Sequence, residues 1–389
     1  MFKVVLWDFD GTSAQWCSKF LKTDGVQIVR TLRPDDTDQA EVIMRGDWDF
    51  VLIFADKERA AFDEIFDTMR AMNFSTENIF FANTIQDWLD HPAAFYVLLK
   101  SEIQEKLTLW LTFNTHGKYH QYITATAEGL PYIGYSSDNY IIFNMYTQDK
   151  NFAADEMQIF HALMKKYYDI DDGEGYFLDL GANIGTTCIY FLKKLAPNLK
   201  VIAFEPDPET FKLLRANLIL NDLDDRATAV NCGLGDKFDE MTMYRNLINP
   251  GANSVFQYAT DMPTEIVKII PLDSYLAEKN IAAQDVKYIW IDTEGFEAQV
   301  LLGAKNLLAE TSAPVFMECN LLAWKNSGSL DKMIDLLKAT GYKYFVSILD
   351  LTTEHKEKIY PVEMLKGFAE YAKPPMGQAG DIFLIKDLA

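Results

Sequence analysis

An α/β fold in two units is what this sequence predicts, and three observations predict it. Residues 1–92 alternate short apolar strands with amphipathic helical stretches. The same alternation returns from Tyr176 onward, and no internal repeat or low-complexity tract interrupts either stretch. A chain of 389 residues, 49% of them apolar, is long enough to bury more than one core.

The first stretch runs through KVVLWDF, SAQWCSKFLKTD, GVQIVRTL, FVLIFA, KERAAFDEIFDTMRAMN and NIFFA. Four strands separated by helices predict a small, mostly parallel sheet, with Gly25 as a helix stop. Residues 93–172 change character. Aromatic and β-branched residues crowd KYHQYITATAEGLPYIGYSSDNYIIFNMY, whose Gly-Leu-Pro and Ser-Ser-Asp-Asn turns predict antiparallel hairpins. AADEMQIFHALMKKYYDI then spaces its apolar residues for a helix that ends in the acidic turn DDGEG. In the last domain, residues 173–389, the strand candidates are YFLDLG, KVIAFEP, ATAVNCGLG, YIWIDTEG, APVFMECN, YKYFVSIL and DIFLIK. With helices between them they suit a doubly wound sheet that binds ligands at the carboxyl ends of its strands. The segment between the third and fourth reads as an irregular insertion.

Composition narrows the function. With 36 Lys and Arg against 57 Asp and Glu, the net charge of -21 repels a polyanion, and no basic patch offsets it, so nucleic acid is not an expected partner. Cys17, Cys188, Cys232 and Cys319 sit singly in apolar stretches without metal-ligand spacing, as buried thiols of a reducing compartment do. The N-terminus has no charged-then-apolar layout, and no apolar window is long enough to span a bilayer. The expectation is a soluble, cytoplasmic protein. His116 and His120 are four apart, as two metal ligands on a helix would be, but their surroundings read as strand.

FLDLGANIGTTCIYF is a strand, a small-residue loop and a helix start. Gly181 and Gly185 let a ligand approach the backbone, and the open amides of the helix start supply donors. VIAFEPD, about twenty residues on, ends a second strand on Glu205, where a carboxylate accepts from ribose hydroxyls. Loop plus acid predicts a nucleoside-containing cofactor. A dinucleotide site would read GxGxxG, whereas here Asn183 replaces a glycine and Asp179 precedes the loop. A carboxylate there suits a cationic amino-acid moiety better than a pyrophosphate, which favours S-adenosylmethionine over NAD.

Together, DLGANIG, FEPDPETFKLLRANLILN, VNCGLGD, LDSYL, IDTEGFEAQVLLGA and PVFMECN give the chain a resemblance to the FkbM-type S-adenosylmethionine-dependent methyltransferases, over residues from about 140 to 387. The resemblance implies a class I methyltransferase fold, a Rossmann-like seven-stranded sheet. It also implies transfer of a methyl group to a hydroxyl of a sugar, glycan or secondary metabolite, leaving S-adenosylhomocysteine. On it, Asp179, Gly181, Asn183 and Gly185 surround the methionine part, Glu205 holds the ribose, and the stretch from Asn231 to Asp236 lies near adenine. The acceptor alcohol is a poor nucleophile that gains from a nearby base. Asp292 is the leading candidate, then Glu294, with Glu318 at the end of the next strand; Glu294 and Glu297 also sit where a helix start welcomes negative charge. These carboxylates have the ligand chemistry of Mg²⁺, but acidic residues abound throughout and no metal is expected. In the insertion, Asn253 and Ser254 form a polar turn that reads as a border of the acceptor pocket or as plain surface loop. Tyr132, Tyr135, Tyr140, Trp290 and Trp324 are candidates for stacking on a sugar face, or for core.

The N-terminal stretch VVLWDFDGTSAQW resembles the opening of haloacid dehalogenase-like phosphohydrolases, with Asp8 and Asp10 as nucleophile and acid/base. No convincing Lys and later acidic pair follow before residue 92. Aligned instead with a nucleotide-binding turn, Asp8, Asp10 and Ser13 occupy the glycine positions, where two carboxylates repel phosphate. The expectation is a degenerate Rossmann-like unit used for assembly or acceptor positioning. Its rivals are a bifunctional protein with an N-terminal phosphohydrolase, and a catalytically silent cofactor-binding scaffold.

Overall fold

The computed structural model describes residues 2–8, 26–33, 50–54, 79–81, 113, 120–138, 140–168, 173–246, 249–257, 260–353, 355–371 and 380–386. The chain divides into two compact units, residues 1–112 and 113–389. In the first, β1 (Phe2–Asp8), β2 (Val26–Leu32), β3 (Phe50–Phe54) and β4 (Ile79–Phe81) are the four strands read from the sequence. They form one sheet in the order β2-β1-β3-β4 with every pair parallel, and Val5, Leu32 and Val51 are buried in it. Gly25 and the helices read between these strands fall outside the described residues, as do Cys17 and His116.

The second unit opens with a hairpin, β5 (Tyr122–Ala127) and β6 (Leu130–Tyr135), turning through Glu128 and Gly129. Both turn residues have positive φ, 52° and 79°, as a two-residue hairpin loop requires. The following IIFNMYTQ, within the stretch read as hairpins, is instead a helix, α1 (Ile141–Gln148). Buried Asp138 starts it by accepting from the amides of Tyr140, Ile141 and Ile142. Helix α2 (Ala154–Tyr167) follows as expected, with Asp155 and Glu156 in its first turn and Lys165 and Lys166 in its last, matching its dipole.

All seven strands read from the last domain are present: β7 (Tyr176–Leu180), β8 (Lys200–Phe204), β9 (Ala227–Val230), β13 (Val286–Ile291), β14 (Val315–Met317), β15 (Tyr344–Ser347) and β17 (Ile382–Ile385). A short edge strand, β16 (Ile359–Pro361), makes the sheet eight-stranded, in the order β16-β15-β17-β14-β13-β7-β8-β9. The run from β9 to β14 is parallel, while β17 is antiparallel to both its neighbours. From β7 the chain builds outward through β8 to β9, then returns to build the other half from β13. The order therefore reverses between β7 and β13, where a doubly wound sheet opens a crevice at its carboxyl edge.

The insertion is not irregular. Strand candidate ATAVNCGLG breaks after Val230, and β10 (Gly233–Leu234) leaves the main sheet to join β11 (Asp239–Tyr244) and β12 (Thr264–Ile270) in a small sheet of order β10-β12-β11. Alternate residues of the main strands feed two cores. Phe177, Tyr288, Trp290 and Phe316 face one, shared with α1, α2, α3 (Thr186–Tyr190) and α4 (Pro208–Leu220). Leu178, Leu180, Ile289 and Ile291 face the other, shared with α5 (Leu272–Glu278), α6 (Glu297–Leu302), α7 (Lys305–Glu310) and α9 (Leu330–Ala339). Between these last two, α8 (Leu321–Asn326) seats Trp324 in the same core. Helices cover both faces, so the unit is a three-layer α/β sandwich. Among the described residues, no helix is long and apolar enough to cross a membrane.

Candidate active site

Four strand ends meet at the carboxyl edge. The loop after β7 bends sharply: Gly181 has φ 98°, Asn183 has φ 51°, and Gly185, which starts α3, has φ 91°. Gly181 is required for a further reason. A Cβ built there would lie 1.7 Å from the carbonyl oxygen of Asp292, so only a glycine lets β7 and β13 close together, where the Asp292 amide donates to the Leu180 carbonyl at 2.9 Å.

Glu205, just past β8, is buried, and its carboxylate accepts from the Asn183 amide at 2.9 Å and from the Asp207 amide at 2.8 Å. Burial, with the charges of Asp207 and Asp179, pushes its carboxyl up to about 8 despite those two donors. Asp207 in turn caps α4 at the Glu209 amide and receives Arg245 Nε, Arg245 Nη2 and Asn253 Nδ2, at 2.6 to 2.9 Å. Through these bonds the turn at residues 250–254 is fastened over the strand ends. Asn253 and Ser254, read as pocket border or surface loop, line the cleft, and Ser254 Oγ donates to the Glu294 carbonyl.

Two cavities open here. One lies between Gly181, Glu205, the stretch Cys232–Leu234, the turn at Asn253 and Thr293. The second lies over the Trp290 face of the sheet, among Phe152, Glu156, Trp290, Phe316, Glu318 and Asp381. Gly181, Asn183 and Asp292 line both.

After β13 the chain makes a second tight turn, with Glu294 at φ 52° and Gly295 at φ 99°. Glu297, fully buried, ties it: Oε1 accepts from the Thr293 amide, the Thr293 hydroxyl and the Gly295 amide, and Oε2 accepts from Trp324 Nε1, all at 2.9 to 3.0 Å. It is a clamp that no ligand reaches. Asp292 is exposed to both cavities; desolvation at the strand ends, then the charges of Glu294, Asp381, Glu297 and Asp179, push its carboxyl up. Glu294 rises to about 7, from desolvation and Glu297. Desolvation, then Asp292 and the neighbouring acids, raise Glu318 well above the carboxylate range.

Of the residues read from the sequence, Gly181, Asn183, Glu205, Asp292 and Glu294 line the first cavity, and Glu318 lines the second. Asp179 lies beneath the loop with no exposure. Neither of its oxygens makes a hydrogen bond of normal geometry; burial lifts it to about 7 against the Cys188 thiol and amide that face it. Gly185 packs against Leu214 of α4, and Asn231 and Asp236 are exposed on either side of the Cys232–Leu234 stretch that forms the wall. Asn231 donates to the Glu205 and Pro206 carbonyls, holding that stretch in place. Of the stacking candidates, Trp290 lines the second cavity, while Tyr132 and Trp324 are core. Asp8 ends β1; Asp10 and Ser13 fall outside the described residues.

Sequence reasoning missed Glu156 and Asp381. Asp381 precedes β17, and because that strand runs antiparallel its start, not its end, reaches the carboxyl edge. Ile382 pairs with Met317, so Asp381 arrives beside Glu318. Among the described residues no cluster of His, Cys, Asp or Glu has the makings of a metal site.

Residues 179–344 match the family model described as the methyltransferase FkbM domain. Among curated proteins the chain is similar to Methyltransferase sdnD of Sordaria araneosa, 27% identical over 206 residues, covering 45% of this chain and 77% of that protein. It is also similar to Methyltransferase 1 of Beauveria bassiana, 27% identical over 173 residues, covering 38% and 67%. A solved structure, methyltransferase FkbM from Methylobacillus flagellatus, aligns with 86% of this chain and 84% of its own at 14% identity and a TM-score of 0.32.

Proposed function

We propose, for a chain whose residues 179–344 form a methyltransferase FkbM domain, that it transfers a methyl group from S-adenosylmethionine to a hydroxyl of a sugar, glycan or secondary metabolite. The observation that carries this reading is the pair of cavities meeting at Gly181, Asn183 and Asp292, one for each substrate. The residues of the first suit the methyl donor. Glu205 keeps lone pairs for ribose hydroxyls beyond the two amides it already receives, and the wall at Cys232–Leu234 is apolar enough for a base. Asp179, buried without a hydrogen bond of normal geometry, offers its charge to an ammonium group above the loop. Two carboxylates so close to a phosphate would repel it, which disfavours NAD.

When bound, S-adenosylmethionine supplies a sulfonium-activated methyl group. The protein's own work is orientation and proton transfer. The acceptor hydroxyl, held in the second cavity, forms the new C–O bond as the C–S bond breaks with its electron pair on sulfur. Asp292, at the junction, takes the hydroxyl proton. Desolvation and the neighbouring acids raise its carboxyl above the ordinary carboxylate range, which makes its carboxylate a stronger proton acceptor. Glu294 and Glu318, the other two acids in reach of the acceptor, line the first and the second cavity on either side of it. The product S-adenosylhomocysteine is neutral at sulfur.

Calorimetric titration with S-adenosylmethionine and S-adenosylhomocysteine, with NAD as control, tests the reading. Micromolar binding of donor or product, lost in Glu205→Ala and absent with NAD, supports it. Failure of both to bind, or equal binding of NAD, overturns it.

A further inference from the structure

The two cavities meet at Gly181, Asn183 and Asp292, and of these only Asn183 and Asp292 have side chains to offer. Methyl transfer needs donor and acceptor to touch, so on that reading the reacting atoms lie at the junction. Asp292 already has its part there. Asn183 so far has only its backbone amide, which donates to Glu205.

Three observations give its side chain a part as well. The first is place. A Cβ built on Gly251 would lie 3.1 Å from Asn183 Nδ2 and 2.9 Å from Ile141 Cδ1, and Gly251 lines the first cavity while Ile141 lines the second. The side-chain amide itself therefore stands between the cavities, beneath the turn at residues 250–254. The second is conformation. Asn183 has φ 51°, a left-handed backbone in which glycine is at ease and a residue with a Cβ is strained. Glycine would serve the bend of the loop better. The third is that, among the described residues, the side chain makes no hydrogen bond. Glu128 and Asp149 share the left-handed conformation, but each carboxylate accepts from a backbone amide, of Asn151 and of Glu128. A strained residue whose side chain the fold leaves idle points to a ligand.

We infer that the Asn183 side chain is the second group at the point of transfer, where with Asp292 it fixes the reacting hydroxyl of the acceptor; the inference rests on the methyl-transfer reading. An alcohol oxygen carries one hydrogen and two lone pairs. The hydrogen goes to Asp292, Asn183 Nδ2 donates to one lone pair, and the other lone pair forms the C–O bond as the C–S bond breaks with its electrons on sulfur. With two of its three directions held, the oxygen has one left, toward the methyl carbon.

Sinefungin tests this without an acceptor. It is S-adenosylhomocysteine with a carbon bearing an amino group in place of the sulfur, so its amine projects where the methyl group is transferred. The ratio of the two affinities, measured by calorimetry on the full chain, reads contacts at the junction and cancels those to the adenosine and amino-acid parts. Asn183→Gly removes the side chain and suits the backbone. It is expected to lower the preference for sinefungin about tenfold, the effect of one hydrogen bond to a charged group, while the urea midpoint holds or rises. Asn183→Asp returns an oxygen to the amine and is expected to recover the preference. An unchanged preference in Asn183→Gly, a loss that Asn183→Asp does not recover, equal weakening of both ligands, or a lowered urea midpoint overturns the inference alone. Failure of the wild type to bind either ligand overturns the methyl-transfer reading, and the inference falls with it.

Discussion

The loop after β7 and the turn after β13 solve the same mechanical problem with the same parts. Each follows a buried parallel strand, each needs two or more residues with positive φ, and each is tied by a buried glutamate that accepts from its backbone amides. They differ in what the glutamate does afterwards. Glu297 is sealed by Trp324 and serves its turn alone, whereas Glu205 lines the cavity with acceptor capacity in reserve. A carboxylate with four donors around it is structure; one with two donors and an open side is a binding group. The two loops touch at Gly181 and Asp292, so the clamp on one sets the position of the other.

That contact is where the largest effect is expected. Gly181→Ala puts a Cβ 1.7 Å from the Asp292 carbonyl oxygen at a φ of 98°, and neither backbone can yield without opening the β7–β13 pair. A loss of roughly 5 kcal/mol in stability, read by urea unfolding, together with loss of S-adenosylhomocysteine binding, is predicted. Gly185→Ala meets only side-chain ends of Leu214 and Ile189, so it is expected to cost less despite a similar φ. Equal costs would mean that backbone strain, rather than the loop–turn contact, makes Gly181 necessary.

The open side of Glu205 leaves a signature in pH. Its carboxyl lies near 8 in the folded protein against about 4.5 when unfolded, so between those values the folded state holds the extra proton. Stability contributed by that proton is complete below about pH 4.5 and is lost as pH rises through about 8. Glu205→Gln cannot titrate; relative to the wild type it gains stability over that window, by on the order of 5 kcal/mol. Asp179, Glu294 and Asp381, each near 7, slope the same way in both proteins and cancel in the difference. Parallel curves of stability against pH would show that the group is already ionised in the fold.

The closed clamp should behave otherwise. Glu297→Ala strands the amides of Thr293 and Gly295 and the Trp324 indole N–H, and a loss of about 3 kcal/mol in stability is expected, read by urea unfolding. If the loss fell instead on ligand affinity with stability intact, Glu297 would belong with Glu205 rather than opposite it.

How much of this could be read from the sequence follows from how local each cause is. The seven strands were legible because each is a short apolar run bounded by turns, and the loop after β7 because Gly181, Asn183 and Gly185 lie within five residues of one another. Glu205 and Asp292 were legible as strand-end acids. The small sheet of β10, β11 and β12 was not, since β11 is mostly polar and exposed and β10 is two residues long. Helix α1 was hidden in a stretch rich in β-formers, where Asp138 three residues ahead decides the outcome by capping. Glu156 and Asp381 carry no local signal. Only the antiparallel insertion of β17 and the packing of α2 bring them to the edge.

The mildest prediction concerns the wall that closes the first cavity. Arg245 grips Asp207 through two nitrogens, and Asp207 also holds Asn253, so one buried carboxylate ties the 250–254 turn to the segment after β8. Arg245→Ala removes two of its four bonds but leaves the Glu209 amide and Asn253 in place. The expected cost is about 1 kcal/mol, appearing as roughly fivefold weaker S-adenosylhomocysteine binding by calorimetry. Arg245→Lys should recover only part of it, because a single ammonium cannot reproduce the two-nitrogen grip. A fall in melting temperature with affinity unchanged would detach the wall from the site and leave the two strand-end loops as the whole of the cofactor pocket.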